Sequence, residues 1–253
     1  MRGIASKFVK RQVKKHFWRR GLEIRSSPHL GKFLESRKID VVLDVGANIG
    51  QFGRDLRDEG YRGLIVSFEP VKSVFETLKS VADSDGAWEA HNFALGSAPA
   101  RTSIKVSENT EFSSLLKQTP EALRFDAHSK VLREEIVEVQ RLDDIFSRFK
   151  GRRVFLKIDT QGFDREVLEG AHESLKEISG VQAELPIVHL YRGVWSLPEA
   201  LDYMSKRGFV LGQVRPTNFD HEEGVTLIEL DCVFRRETAA AESAKPTLEA
   251  AHL

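Results

Sequence analysis

Cysteine is nearly absent: Cys232 is the only one in 253 residues. No intrachain disulfide can form and no cysteine-rich zinc site can be built. So little cysteine suits a reducing compartment, and a cytoplasmic location is the expectation. Long apolar runs are missing as well. None approaches the roughly 18–20 residues that a bilayer-spanning helix needs. The basic N-terminal residues have no apolar stretch behind them, so no secretory signal is expected. With 8 prolines and 18 glycines, a collagenous chain is excluded too. What remains is an ordinary globular composition, 41% hydrophobic and 30% charged. The chain is long enough to bury a substantial core as one large domain or two small ones.

Neither sign of charge is in excess over the whole chain, yet the two are unevenly placed. Residues 1–25 carry nine lysines and arginines against Glu23 alone, a net charge of +8 that the rest of the chain balances. On a helical wheel Phe8, Val9, Val13 and Phe17 share one arc, with Lys7, Lys10, Arg11 and Lys14 mostly opposite. A basic amphipathic helix of this kind suits peripheral contact with an anionic membrane surface. It equally suits a helix packed on its own domain with a solvated basic face. Nucleic acid is not an expected partner, because the remaining chain is acidic and has no interleaved basic and aromatic stripe.

Residues 1–36 therefore read as a basic helical extension, 37–236 as one α/β domain, and 237–253, rich in Ala, Glu, Ser and Thr, as a disordered tail. Within the domain, short apolar runs alternate with helical stretches. Strands are expected at Ile39 to Val45, Leu64 to Phe68, Trp88 to Leu95, Val154 to Asp159 and Val181 to Leu185, with a closing pair at Phe209 to Val214 and Thr226 to Phe234. Helices are expected at Gln51 to Glu59, Val71 to Val81, Phe163 to about Ile178, and from Leu197 to Gly208. This alternation indicates a mostly parallel sheet. Residues 107–135 show no clear period, and an insertion of that length is usually a lid or a substrate-binding element.

In such a sheet ligands bind beyond the carboxyl ends of the strands. The first strand is followed by Asp44-Val45-Gly46-Ala47-Asn48-Ile49-Gly50, where Gly46 and Gly50 allow a sharp turn and close approach to a ligand. It has neither the spacing of a Gly-x-Gly-x-x-Gly dinucleotide turn nor the Gly-Lys-Ser/Thr of a phosphate loop. Glu69 stands at the tip of the second strand, about 20 residues on, where a carboxylate can accept both hydroxyls of a ribose. Turn and carboxylate together point to an adenosine ligand. Asp44 would repel a pyrophosphate but suits the ammonium and sulfonium charges of S-adenosylmethionine, which argues against a nicotinamide cofactor.

The Asp44–Gly50 turn, Phe68-Glu69-Pro70, Asn92-x-Ala94-Leu95-Gly96, Val139 to Asp144, and Leu156-Lys157-Ile158-Asp159-Thr160-Gln161-Gly162 resemble, in that order, the FkbM family of S-adenosylmethionine-dependent methyltransferases. The resemblance covers roughly residues 39–235. The family often has Glu-Gly where Gln161-Gly162 stands. The resemblance implies a class I methyltransferase (Rossmann-like) fold, with a seven-stranded, mostly parallel sheet and an antiparallel last hairpin. It also implies O-methylation of a hydroxyl on a sugar or natural product. Carried onto this chain, Asp44, Gly46 and Asn48 would line the methionine end and Glu69 would hold the ribose, with Gly50 a further cofactor-binding residue. Asn92 and Ala94 would flank the adenine. Ser113-Ser114-Leu115 resembles a short family motif within the insertion, so Ser113 is a further contact.

Methyl transfer requires an aligned acceptor oxygen and, for an alcohol, removal of its proton. A general base typically contributes ~10²–10⁴-fold. Asp159 at a strand tip, Glu184 at the end of the next strand and His189 just beyond it are candidates. Lys157 lies on the same side as Asp159. The carboxylates could alternatively hold a divalent metal that acidifies the hydroxyl. Asp159 could also be a helix N-cap, Lys157 a structural partner of a neighbouring acid, and Cys232 a core residue. The expected acceptor is a glycolipid, a polysaccharide or a glycosylated metabolite. The alternatives are a small non-sugar metabolite, or a non-catalytic adenosine-binding or assembly role.

Overall fold

The computed structural model describes residues 29–220 and 225–237. The basic segment 1–25 and the tail 238–253 lie outside the described residues, and with them the expectations placed there. The strands are β1 (Val41–Val45), β2 (Leu64–Phe68), β3 (Trp88–His91), β4 (Ala94–Leu95), β5 (Ala100–Ser107), β6 (Val131–Gln140), β7 (Val154–Ile158), β8 (Ile178–Pro186), β9 (Phe209–Phe219) and β10 (Leu227–Arg236). Seven of them form one sheet in the order β3-β2-β1-β7-β8-β10-β9. All neighbours in it are parallel except that β10 runs antiparallel to both β8 and β9. This is the class I methyltransferase architecture, and the winding direction reverses between β1 and β7.

The central strands form because both faces are covered. Val41, Leu43 and Val45 pack on one face with Val66, Leu156 and Ile158. They meet α6 (Asp164–Glu169) and α7 (Leu197–Ser205) through Val167, Leu168, Ala200 and Met204. Val42, Ile65 and Phe155 point the other way. There they meet α1 (Leu30–Ser36), α2 (Gln51–Asp58) and α3 (Lys72–Asp83) through Leu34, Leu56 and Leu78. Each such side chain contributes about 1.5–3 kcal/mol by leaving water. Two local signals fix helix positions. Val74, Leu78 and Ala82 recur every four residues and form the buried stripe of α3. Ser196 and Glu199 close a capping box at the start of α7.

Three expected elements come out differently. The strand over Trp88 to Leu95 splits: β3 stays in the main sheet, and β4 leaves to pair with β6 in a separate three-stranded sheet ordered β4-β6-β5. The helix from Phe163 is confined to α6, because the chain turns at Gly170 and is already in β8 by Ile178. Residues 107–135 are flanked and partly occupied by β5 and β6. Between these strands lie a 3₁₀ turn at Thr110–Phe112 and the short helix α4 (Pro120–Phe125), and α5 (Leu142–Ile145) follows β6.

Strand register also lays down a polar row inside the main sheet. Asp44 is opposite Ser67 on β2 and Lys157 on β7, and Lys157 is opposite Gln182 on β8. All four are buried.

Candidate active site

A cavity of about 370 Å³ opens at the carboxyl ends of β1, β2, β7 and β8, where the sheet reverses its winding. Its first wall is the turn after β1. Gly46, Asn48 and Gly50 all have left-handed φ, at 73°, 47° and 85°. At Gly46 glycine is required on two counts, since a Cβ would also fall 1.8 Å from the carbonyl oxygen of Asp159. The peptide N–H groups of Gly46 and Ala47 donate to the carbonyl of Phe68 at 3.0 and 3.1 Å, which joins this turn to the tip of β2.

Glu69 is held at that tip. Its two carboxyl oxygens accept the backbone N–H groups of Asn48 at 3.0 Å and Val71 at 2.8 Å. Each oxygen keeps a further lone pair, and the side chain lines the cavity. Burial pushes its carboxyl up to about 7, although both N–H donors pull the other way.

Three cofactor candidates support the cavity without lining it. Asp44 is fully buried. It accepts the Ser67 hydroxyl at 3.0 Å and pairs with the Lys157 ammonium at 3.1 Å, while the Trp88 indole donates to Ser67. A carboxylate this deep is consumed by the protein's own cation. Gly50 packs under Leu78 and Trp88. Asn92 donates to the carbonyls of Glu69 and Pro70 at 2.9 and 3.0 Å and so shapes the loop. Gly46, Asn48, Ala94 and Ser113 do line the cavity.

The opposite wall carries the expected catalytic side chains. Lys157 is buried, with its ammonium 3.6 Å from Asp159 Oδ2 and 3.1 Å from the carbonyl of Gly46. Burial pulls its pKa down, but the carboxylates of Asp44 and Asp159 outweigh that and hold it above the ordinary lysine range. Asp159 has a side chain 39% exposed and faces the cavity. It is not a helix cap: α6 begins at Asp164 with Phe163 in the capping position. Glu184 also lines the cavity. Burial, reinforced by Asp159 and Glu229, raises its carboxyl well above the usual range. His189 is exposed and outside the cavity, because β8 ends at Pro186 and carries the following residues past the rim. Among the described residues no three His, Cys, Asp or Glu side chains are grouped to hold a metal ion. Cys232 is buried in β10, as a core residue should be.

Residues 44–211, more than half of the chain, match the model of the methyltransferase FkbM domain. The chain belongs to the FkbM methyltransferase family. It is an S-adenosylmethionine-dependent methyltransferase, and the residues fit that donor: a turn whose Gly46 presents backbone without a Cβ lines the same cavity as the fixed Glu69 carboxylate with two unused lone pairs. A search of curated proteins found no match. Among solved structures it is similar to magnesium protoporphyrin IX methyltransferase from Synechocystis PCC 6803 with bound SAM. That likeness has a TM-score of 0.46 at 9% identity and covers 82% of this chain and 76% of the other. A second is an rRNA methylase from Streptococcus thermophilus, with a TM-score of 0.46 at 11% identity over 85% of this chain and 99% of the other. Neither likeness carries weight of its own. The family rests on the sequence match, and the architecture on the strand order.

Several cavity residues of this methyltransferase escape a reading of the motifs alone. Gln182, Thr217, Asn218 and Glu229 line the far end. Glu229 accepts the Asn218 amide at 2.8 Å, and burial raises its carboxyl to about 7. The available signal was the pair of acids at 229 and 231 set between apolar residues of the strand.

Proposed function

We propose that the enzyme transfers the methyl group to a sugar hydroxyl of a glycolipid, polysaccharide or glycosylated metabolite, with Asp159 as the base. One observation supports this reading most. The wall facing the donor turn is built from hydrogen-bonding side chains, Asp159, Gln182, Glu184, Thr217, Asn218 and Glu229, which suits a polyhydroxylated acceptor better than a flat apolar one. S-adenosylmethionine supplies a methyl group already activated by the sulfonium. The protein's part is to align the acceptor oxygen and receive its proton. Asp159 is the open carboxylate on that wall, with a side chain 39% exposed, and the Lys157 ammonium lies 3.6 Å from its Oδ2. The test is to incubate the protein with methyl-labelled S-adenosylmethionine and a lipid and polysaccharide extract, then analyse the product. Label in O-methyl sugars is expected. Label confined to sugar-free metabolites would move the acceptor to that class, and cofactor binding without any transfer would indicate an assembly role.

Glu69 gives a direct check of the donor site. Glu69→Ala should weaken S-adenosylmethionine binding about 10- to 100-fold, or about 1.5–3 kcal/mol. The ionised carboxyl is the form that accepts both ribose hydroxyls, and it titrates near pH 7. Wild-type affinity should therefore fall as pH drops below 7, approaching about tenfold per unit. Calorimetry at about pH 6 and about pH 8 reads this; a flat profile would refute the ribose role.

Peripheral membrane attachment through residues 1–25 belongs to the same reading. The nine basic side chains should attract anionic lipid at roughly 1 kcal/mol for each that reaches the surface. Liposome sedimentation is expected to need anionic lipid, to weaken with salt, and to disappear when residues 1–25 are removed. A full chain that ignores anionic liposomes would leave the segment to packing. Among the described residues no helix is long and apolar enough to cross a membrane.

A further inference from the structure

Gln161 follows Asp159 and Thr160 in the turn after β7, with left-handed φ of 54° ahead of Gly162 at 91°. That turn brings its side chain back over the strand ends. Its amide nitrogen donates to Asp159 Oδ1 at 3.1 Å and to Glu184 Oε2 at 3.2 Å. Its amide oxygen accepts the Tyr191 hydroxyl at 2.9 Å. Ionised carboxylates only accept, so the amide can face them only with its N–H groups.

The same residue reaches the segment over the cavity. Its backbone carbonyl accepts the Ser114 hydroxyl at 2.8 Å, and Tyr191 also contacts the carbonyl of Phe112 at 3.0 Å. That segment touches the donor turn once and the start of α2 once. The Thr110 hydroxyl donates to the Asn48 side chain at 3.3 Å, and the Gln51 amide donates to Glu111 at 3.2 Å. One neutral amide thus links the two acids to the strap.

We infer that Gln161 is a positioning residue that orients Asp159 and Glu184 toward the acceptor and couples them, through Tyr191 and Ser114, to the strap over residues 110–116. The inference rests on the reading of Asp159 and Glu184 as the acceptor wall. Two neighbouring carboxylates repel one another, and an amide satisfies both without adding charge. A glutamate at 161 would add a third carboxylate and remove both donors. The other groups acting on this pair are Lys157 on β7, Asp164 on α6, Asp231 and Glu229 on β10, and Arg215 on β9, which pairs with Asp231. Tyr191 faces it from the loop after β8.

The test follows the Asp159 and Glu184 carboxyl signals of the full chain by carbon NMR as pH is varied, alongside amide hydrogen exchange over 110–116. Gln161→Glu should raise the upper midpoint of the pair by about one pH unit or more, a tenfold change in proton affinity. Gln161→Met, of similar length but without donors, should raise it in the same direction and serves if the glutamate variant does not fold. Tyr191→Phe should speed exchange over 110–116 about tenfold or more. Midpoints unchanged in a folded Gln161 variant, or exchange unchanged in Tyr191→Phe, would overturn the inference. A purely structural role would leave the midpoints where they are. Calorimetry of wild type with S-adenosylmethionine separates the premises: absence of binding would overturn the functional reading, whatever the midpoints show.

Discussion

Replacing Asp159 with asparagine is expected to lower turnover by about 100-fold or more while affinity for S-adenosylmethionine stays within about twofold. The substitution keeps the size of the side chain and its ability to accept from Gln161. It removes the charge beside Lys157 and the capacity to take a proton. The Asp159 carboxylate meets Lys157 and Gln161, while its contacts with the donor turn are made by main-chain atoms that the substitution keeps, so donor binding should be spared. Steady-state kinetics on the identified acceptor, paired with calorimetry on the donor, separates the two quantities. Near wild-type turnover in a folded variant would transfer the base role to Glu184, the other carboxylate on the same amide.

The largest effect on stability is expected at Lys157. Its ammonium neutralises Asp44, which has no exposure to solvent. Lys157→Met leaves that carboxylate buried and unpaired, at a cost of about 3–5 kcal/mol. The double change Asp44→Asn with Lys157→Met should recover much of the loss, because no charge is then stranded. Since the folded pKa of Lys157 is raised above 10.5, its contribution is complete at neutral pH. It is lost only as pH climbs above about 10.5 and through the folded value. Denaturant unfolding of the two variants at neutral pH measures the coupling. A single variant as stable as wild type would mean that the pair does not hold the centre of the sheet.

The parts of the fold legible in the sequence are those with one dominant signal. β2 has the expected bounds, and β1 and β7 differ only at their ends, because each is a continuous apolar run covered on both faces. β6 was illegible for the opposite reason. It lies in a small sheet whose buried residues are few, and Leu132 and Ile136 are left exposed, so its apolar residues keep no period. Glu69, Asp159 and Glu184 were legible because strand tips in a parallel sheet converge. The place of Asp44 was not. The sequence shows a carboxylate near the glycine turn, but only strand register reveals that Lys157 lies alongside and claims it. Gln161 stood out only as a departure from the family's Glu-Gly, and its reach to two acids was not legible because it depends on a left-handed backbone.

The turn after β1 and the turn after β7 are fastened together by main-chain atoms and one buried lysine. The N–H of Asp159 donates to the carbonyl of Val45, the Lys157 ammonium to that of Gly46, and the Asp159 carbonyl fills the space where a Gly46 side chain would stand. The spacing between the glycine turn and the β7 tip that carries Asp159 is thereby set by two adjacent central strands. The small second sheet takes no part in that fastening, and its strap reaches the two turns through side chains at Thr110 and Ser114. Because residues 110–115 line the cavity, replacements between β5 and β6 are expected to change which molecule is admitted while leaving the main-chain join between the two turns in place.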